Sequence, residues 1–196
     1  MAGNESPGKG NVVVISGPSG VGKSTVCKRL CERLPARFSV SVTTRPPRPN
    51  EQSARDYDFV SPEEFTRLRD SGGLLEWAQV YGHLYGTPLA EVEKAVREGR
   101  TIILEIDIQG CIQVRSKLPE AKTFFLMPPT PEEQRRRIEG RRTDDAESIR
   151  RRLEKADGEI RYAMESGCYD AFIVNDDLDE AVNKIEAFIR QGGCAR

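Results

Sequence analysis

Nine consecutive residues, Gly17-Pro18-Ser19-Gly20-Val21-Gly22-Lys23-Ser24-Thr25, open with the eight-position pattern G-x-x-x-x-G-K-[ST], the spacing of a loop that wraps nucleotide phosphates. Glycines in such a loop take dihedrals closed to other residues, so successive backbone N–H groups can turn inward onto phosphate oxygens. Lys23 has the charge and reach for the β- and γ-phosphates, and the Ser24 hydroxyl suits the shell of a Mg²⁺ ion that keeps its waters. The implied chemistry is handling of a nucleoside triphosphate. Kinases, ATPases and GTPases share this loop, so the second substrate has to be read elsewhere.

A second polar cluster runs Ser41-Val42-Thr43-Thr44-Arg45-Pro46-Pro47-Arg48-Pro49-Asn50-Glu51 and is followed by Asp56-Tyr57-Asp58-Phe59. Arg45 and Arg48, stiffened by prolines, suit a phosphate monoester gripped by planar donor forks, although a solvated turn fits this segment equally well by itself. Glu76-Trp77-Ala78 and Tyr85-Gly86-Thr87 follow. A carboxylate in an apolar setting can accept from N1–H and the N2 amino group of guanine, while the hydroxyls of Ser41 and Thr87 can meet other positions on the base edge. Adenine has no N1–H and would be rejected. Glu105 and Asp107, two residues apart at the end of an apolar run, share one face of a strand and can both point into a cleft.

The elements that must position these groups are legible in the hydrophobic pattern. Val12-Val13-Val14-Ile15 reads as a strand entering the loop, and residues 25–34 as the helix leaving it, with its positive end aimed at the phosphates. Apolar runs at residues 101–106, 123–127 and 171–174 read as further buried strands separated by helical sequence, which predicts a doubly wound α/β core with a mostly parallel sheet. Residues 39–87, with short alternating stretches, prolines and aromatics, read as a small β-rich insertion. Ser61-Pro62-Glu63-Glu64 and Thr130-Pro131-Glu132-Glu133 are capping boxes with proline at the first helical position. Thr87-Pro88 reads as another helix start, with the helix stopping at Gly99, and the C-terminal helix is expected over about residues 179–189.

Composition excludes several classes. Among 196 residues, 30 Lys and Arg balance 31 Asp and Glu, so the overall charge calls for neither nucleic acid nor an anionic membrane. No apolar run approaches the roughly 20 residues that span a bilayer, and residues 1–10 read as a disordered polar tail rather than a signal peptide, which points to the cytosol. Cys27, Cys31, Cys111, Cys168 and Cys194 show no metal-site or disulfide spacing; Cys27 and Cys31, one helical turn apart behind the loop, read as buried small hydrophobes, with a redox switch as the alternative. The basic stretch holding Arg135, Arg136, Arg137, Arg141, Arg142, Arg150, Arg151 and Arg152 reads first as a solvated helix face. Oligomeric state is left open by the sequence.

Taken together, the residues at 17–25, 41–48, 56–57, 76–78, 85–87, 105–110, 140–143 and 174–178 make the chain resemble the guanylate kinase family over nearly all of residues 12–189. The resemblance implies a P-loop core of residues 11–38, 88–130 and 153–196, a mobile GMP-binding insertion at 39–87 and an arginine-bearing lid at 131–152. It implies ATP and GMP (with dGMP) as small-molecule substrates, Mg²⁺ as cofactor, and GDP and ADP as products. By the same resemblance, Gly17 to Thr25, Arg137 and Asn175 face ATP, with Asn175 near the adenine. Arg45, Arg48, Tyr57 and Tyr85 hold the GMP phosphate, Glu51 steadies those arginines, and Ser41, Glu76 and Thr87 read guanine. Lys23, Arg45, Arg141 and Arg152 surround the transferring group, leaving Arg135, Arg136, Arg150 and Arg151 to the solvated face. Asp107 is expected at the GMP site or on Mg²⁺ through water beside Ser24, and Glu105 in support. Three positions depart from the family's usual pattern: Arg142 replaces a glycine, Leu84 an aromatic, and Glu105 stands where Asp is also common. A binding module that keeps this shape without catalysis, and a monophosphate kinase of other base preference, are the competing readings.

Overall fold

The computed structural model describes residues 10–49, 51–80, 82–140 and 146–190. The tail at residues 1–9, Arg141, Arg142 and Cys194 therefore lie outside the described residues, as does the side chain of Arg151. Five parallel strands form the central sheet: β1 (Val12–Ser16), β2 (Ala36–Phe38), β7 (Thr101–Glu105), β8 (Lys122–Met127) and β9 (Ala171–Val174), in the order β2-β7-β1-β8-β9.

Side-chain alternation along β1 sends Val13 and Ile15 to one face and Val12 and Val14 to the other, and both faces are covered. On the first face Val13, Ile15, Phe124 and Leu126 pack against α1 (Lys23–Arg33) and α7 (Leu178–Arg190) through Val26, Leu30, Val182 and Ile185. On the second, Val12, Val14, Ile102 and Leu104 meet α3 (Leu89–Arg97) and α4 (Ile108–Lys117) through Val92, Ala95, Cys111 and Val114. Ile15, Val13 and Leu126 are fully buried, each contributing about 1.5–3 kcal/mol by leaving water. With β1 central and its neighbours β7 and β8 reached by separate crossovers, the carboxyl ends of β1 and β7 open one crevice at the switch in strand order.

A second sheet, β4-β3-β6-β5, is built from β3 (Val42–Thr43), β4 (Asp58–Phe59), β5 (Leu74–Val80) and β6 (His83–Pro88), with α2 (Pro62–Asp70) against it. Its own small core is Val42, Phe65 and Leu74, with Val60, Leu68 and Leu84 at the margin. Leu84 thus packs inside this sheet. Ser61 caps α2 by accepting from the Glu64 N–H at 3.1 Å, and Thr130 caps α5 (Pro131–Glu139) in the same way from Glu133. The last helix of the basic stretch, α6 (Ala146–Ser166), continues well into the core, where Ala163 and Ile160 meet Phe125.

One expectation needs correction, and one strand was not expected. Thr87 does not start α3: it belongs to β6, and Pro88 occupies the N-cap without a side-chain cap bond. The threonine hydroxyl is engaged elsewhere, on Glu76. The strand β2 escaped the hydrophobic pattern because Ala36–Phe38 is a half-exposed edge with no apolar run. The four described cysteines are free thiols, three of them buried and Cys31 partly so. No helix among the described residues is long and apolar enough to cross a membrane.

Candidate active site

The loop between β1 and α1 carries Gly20 at φ 81° and Gly22 at φ 95°, conformations that L side chains rarely adopt. A Cβ at Gly20 would lie 2.6 Å from Ile138 Cγ1 on α5, and one at Gly22 would lie 2.7 Å from Asn175 Nδ2. Lys23 Nζ donates to the carbonyls of Gly17 at 2.7 Å and Pro18 at 3.1 Å, which lays its ammonium along the loop. The Ser24 hydroxyl donates to Glu105 Oε1 at 3.0 Å, so the carboxylate at the end of β7 touches the loop serine. Asp107 instead caps α4, accepting from the Gly110 N–H at 2.9 Å. A cavity of about 350 Å³ is lined by Gly17, Asp107 and Gln109 on one side and by Lys155, Glu159 and Tyr162 of α6 on the other. Burial pushes the Glu159 carboxyl up, against the nearby charge of Lys155.

The second sheet contributes a basic corner and a buried acid. Arg45 donates Nη2 to Glu51 Oε1 at 2.9 Å, Nε to the Tyr85 hydroxyl at 3.2 Å and Nη1 to the Pro46 carbonyl at 2.8 Å. Its guanidinium lies 5.4 Å from the Tyr57 ring centre, within cation–π range. Glu51 also accepts the Arg48 N–H at 2.8 Å, and the hydrogen bond from Arg45 holds its carboxyl below the usual range. The Arg48 side chain itself is largely exposed. Burial pushes the Tyr57 phenol up to about 12, with the charge of Glu105 adding to the effect.

Glu76 on β5 is only 3% exposed, and its Oε1 accepts the Thr87 hydroxyl at 2.6 Å from directly across the β5–β6 pair. Burial pushes its carboxyl up to about 7; the Thr87 hydrogen bond pulls down and the charge of Asp107 pushes up. Gly110 makes room for it, because a Cβ there would collide with Glu76 Oε2.

From the other side, α5, α6 and the end of β9 close on the loop. Gln134, 3% exposed, donates Nε2 to the Ser19 carbonyl at 2.9 Å. Arg152 donates Nε and Nη2 to the Ser19 hydroxyl at 3.0 and 2.7 Å. Asn175 donates Nδ2 to the Val21 carbonyl at 2.7 Å, and its own carbonyl accepts from Arg137 Nη1 at 2.9 Å. Arg137 is braced by Glu133, whose carboxyl is brought down to about 2 by hydrogen bonds from Arg136 and then Arg137. Arg135, Arg136 and Arg150 are exposed.

A phosphate loop, an arginine-lined corner, a buried carboxylate and an arginine on the loop occur in one chain, and comparison with known proteins places that chain in one family. The sequence model described as guanylate kinase matches residues 9–192. The chain belongs to the guanylate kinase family. It is similar to the guanylate kinase of Caldanaerobacter subterraneus subsp. tengcongensis, 45% identical over 95% of this chain and 89% of that protein. The guanylate kinase of Cutibacterium acnes is 50% identical over 87% of this chain and 85% of its own length. Among solved structures, guanylate kinase from Anaplasma phagocytophilum superposes with a TM-score of 0.77 at 36% identity, covering 95% of this chain and 88% of that one.

Within this guanylate kinase fold, the sequence-derived residues fall into three groups. Glu76 with Thr87, and Arg45 with Glu51, Tyr57 and Tyr85, are joined by direct contacts in the insertion. Lys23, Ser24 and Glu105 meet at the loop, with Arg152 reaching the same loop through Ser19. Ser41 sits beside β3, where its carbonyl accepts from the Asp58 N–H at 2.9 Å. Arg141 lies outside the described residues. Sequence reasoning did not single out Gln134 or Gln113, each a glutamine whose partner is a distant backbone group and leaves no local pattern. For Gln134 the signal at hand was a polar residue on the face that carries Ile138 four positions later.

Proposed function

We infer that the chain transfers the γ-phosphoryl group of ATP to the phosphate of GMP, giving ADP and GDP. The observation that supports the base choice is Glu76, a buried carboxylate fixed by Thr87. Ionised, it accepts from N1–H and the N2 amino group of guanine. Opposite adenine it would face no N1–H and stay buried and unpaired, a penalty that a site built for hydrogen bonding turns into discrimination. The acceptor phosphate fits the corner of Arg45, Arg48, Tyr57 and Tyr85, and dGMP offers the same base and phosphate.

The nucleophile is an oxygen of the GMP phosphate, ionised near neutral pH, so no side chain has to remove a proton. A bond forms from that oxygen to the γ-phosphorus while the bond to the β–γ bridging oxygen breaks, and ADP leaves. The residues act by positioning and by neutralising charge. Lys23 would exchange its loop carbonyls for phosphate oxygens, Arg45 would hold the acceptor, and Arg152, anchored at Ser19, would meet the donor; Arg141 is assigned to the donor by the family resemblance alone. Arg137 and Asn175 form the ATP side, Asn175 acting through Val21 on the shape of the loop as well as bordering the adenine.

Ser24 and Glu105 fit Mg²⁺: both offer oxygen donors only, 3.0 Å apart, as a hard cation requires. When bound, Mg²⁺ neutralises charge on the β- and γ-phosphate oxygens. No cluster of three or more His, Cys, Asp or Glu side chains suited to a metal occurs among the described residues, in keeping with a metal held largely by the nucleotide. Glu105 therefore joins Ser24 as the residue to hold the ion. Asp107, which lines the cavity beside Gly17, orders α4 beneath the acceptor.

The test is ADP production from Mg-ATP with GMP, dGMP, AMP, CMP or UMP as acceptor, beside a control without acceptor. Turnover confined to GMP and dGMP is expected. Turnover with AMP at a comparable rate would remove the role of Glu76, and none with any acceptor would make the chain a binding module.

A further inference from the structure

The pairing of β5 with β6 is irregular immediately before Glu76: Leu74 pairs with Pro88 and Glu76 with Thr87, so Leu75 has no partner on β6. A bulge of this kind re-aims the side chain beside it. On its other side β5 is the edge of its sheet. That edge is closed by two side chains of α4 rather than by a strand. Gln113 donates Nε2 to the Trp77 carbonyl at 2.7 Å and accepts the Trp77 N–H on Oε1 at 3.2 Å. Lys117, one helical turn further on, donates Nζ to the Leu75 carbonyl at 2.5 Å. The residues on both sides of Glu76 are thus tied to α4, and Gly110 on the same helix face receives the Glu76 carboxylate.

We propose that Gln113 is a positioning residue for base recognition: its amide substitutes for a neighbouring strand at Trp77 and fixes the aim of Glu76. A primary amide offers one donor and one acceptor side by side, as a peptide unit does, and no other side chain of similar length matches both Trp77 groups. A second bond, from Gln113 Nε2 to the Gln109 carbonyl at 3.3 Å, ties the amide back to its own helix. A carboxylate that must meet two donors of a base is sensitive to small shifts of its strand, because recognition by directed hydrogen bonds tolerates only fractions of an ångström. The proposal rests on Glu76 being the reader of guanine.

The test uses the full chain with Gln113→Met, which keeps length and packing but removes both bonds. Gln113→Glu is the second variant, keeping the acceptor for the Trp77 N–H while setting a carboxylate against the Trp77 carbonyl. GMP and ATP-analogue affinities come from calorimetry, KM and kcat from steady-state assays, and folding from thermal melts. Gln113→Met should weaken GMP binding and raise its KM about 10-fold, with ATP affinity and kcat at saturating GMP within about twofold of wild type. Gln113→Glu should weaken GMP at least as much. In a Glu76→Gln background, Gln113→Met should change GMP affinity no further, since the aim it protects is gone. Unchanged GMP affinity in a folded Gln113→Met protein, equal losses in both backgrounds, or parallel loss of GMP and ATP binding would each overturn the proposal. A wild-type enzyme without preference for GMP over AMP would overturn the reading of Glu76 and this proposal with it.

Discussion

Thr87 and Glu76 face each other across the β5–β6 hairpin and share a hydrogen bond of 2.6 Å inside the protein. The hydroxyl uses its one proton on Oε1, which leaves the other carboxylate oxygen and the remaining lone pairs for a ligand. Glu76→Gln should therefore keep the fold and lose the discrimination. An amide would turn a donor towards N1–H or give up one of two charge-assisted bonds. Losing them lowers kcat/KM for GMP about 10²- to 10⁴-fold. AMP turnover should change far less, so the GMP-to-AMP ratio of kcat/KM is the number to measure. A ratio equal to wild type would assign base choice to other residues.

The burial that raises the Glu76 carboxyl to about 7 from its usual 4.5 has a sign that calorimetry can read. Because the folded value lies above the unfolded one, the folded protein holds the extra proton between those two values. The stabilising contribution is complete below about pH 4.5 and is lost as pH rises through about 7. The full span corresponds to about 3 kcal/mol as an order of magnitude. Free of nucleotide, Glu76→Gln should gain on wild type as pH rises from 5 to 8, by melting temperature or denaturant midpoint. GMP needs the ionised form, so its affinity should fall below about pH 7 more steeply in wild type than in Glu76→Gln. The GMP phosphate itself titrates near pH 6, and the variant controls for that.

How far such a site can be read from sequence depends on the range of the contacts. The phosphate loop is legible because its glycines, Lys23 and Ser24 lie within nine residues and each has a fixed task. The strands β1, β7 and β8 are legible because they are buried on both faces and therefore continuously apolar. Thr87 was misleading for the same reason that it matters: Thr-Pro is a local start signal, whereas its hydroxyl answers to Glu76 across a hairpin. Gln134 reaches Ser19 over 115 positions and Asn175 reaches Val21 over 154, so neither contact has a periodicity to betray it. The division of labour between Glu105 and Asp107 was equally hidden, because the apolar run suggests one strand end for both, whereas the strand stops at Glu105, which meets Ser24, and Asp107 two residues on caps α4.

Glu51 bridges the side chain of Arg45 and the backbone of Arg48, so on the proposed reading it shapes the corner for the GMP phosphate through those two residues. Glu51→Gln should raise the KM for GMP about 10-fold, because Arg45 loses the charge that orients its fork. The KM for ATP should stay at the wild-type value. Since the Arg45 hydrogen bond holds this carboxyl low, its contribution is present above the usual carboxylate range and fades only as pH falls through the lowered value. It should leave no step near pH 7, which separates it from Glu76. A shift in ATP KM alone would place Glu51 elsewhere in the cycle.

Glu105 and Asp107 should separate under substitution. Glu105→Gln keeps size but removes the charge beside Ser24, so the Mg²⁺ concentration for half-maximal turnover should rise about 10-fold, since a carboxylate binds a hard cation far better than an amide. Asp107→Asn keeps a good N-cap and should melt as wild type does, whereas Asp107→Ala should lose about 1 kcal/mol of stability. Melting curves and Mg²⁺ titrations of the three variants read both effects. An unchanged Mg²⁺ requirement in Glu105→Gln, with a raised one in Asp107→Asn, would move the ion to Asp107.

Ser19 is held from two helices, and the two holds differ in kind. Gln134 is itself buried, so Gln134→Ala empties a packed site and takes the side-chain donor from the partly buried Ser19 carbonyl, at a cost of about 1–3 kcal/mol. At about 2–4 °C per kcal/mol for a chain of this size, the melting temperature should drop by several degrees. Arg152 is partly buried and its bonds to Ser19 meet a hydroxyl that water can replace, so Arg152→Ala should lower the melting temperature less than Gln134→Ala does. On the proposed reading, its guanidinium exchanges Ser19 for the transferring phosphoryl when both nucleotides are bound. Turnover of Arg152→Ala should therefore fall on the order of 10²-fold, in line with other preorganised charge-stabilising donors. Thermal melts beside kcat at saturating ATP and GMP separate the two roles. Full turnover in Arg152→Ala would make its bond to Ser19 a purely structural clasp between α6 and the loop.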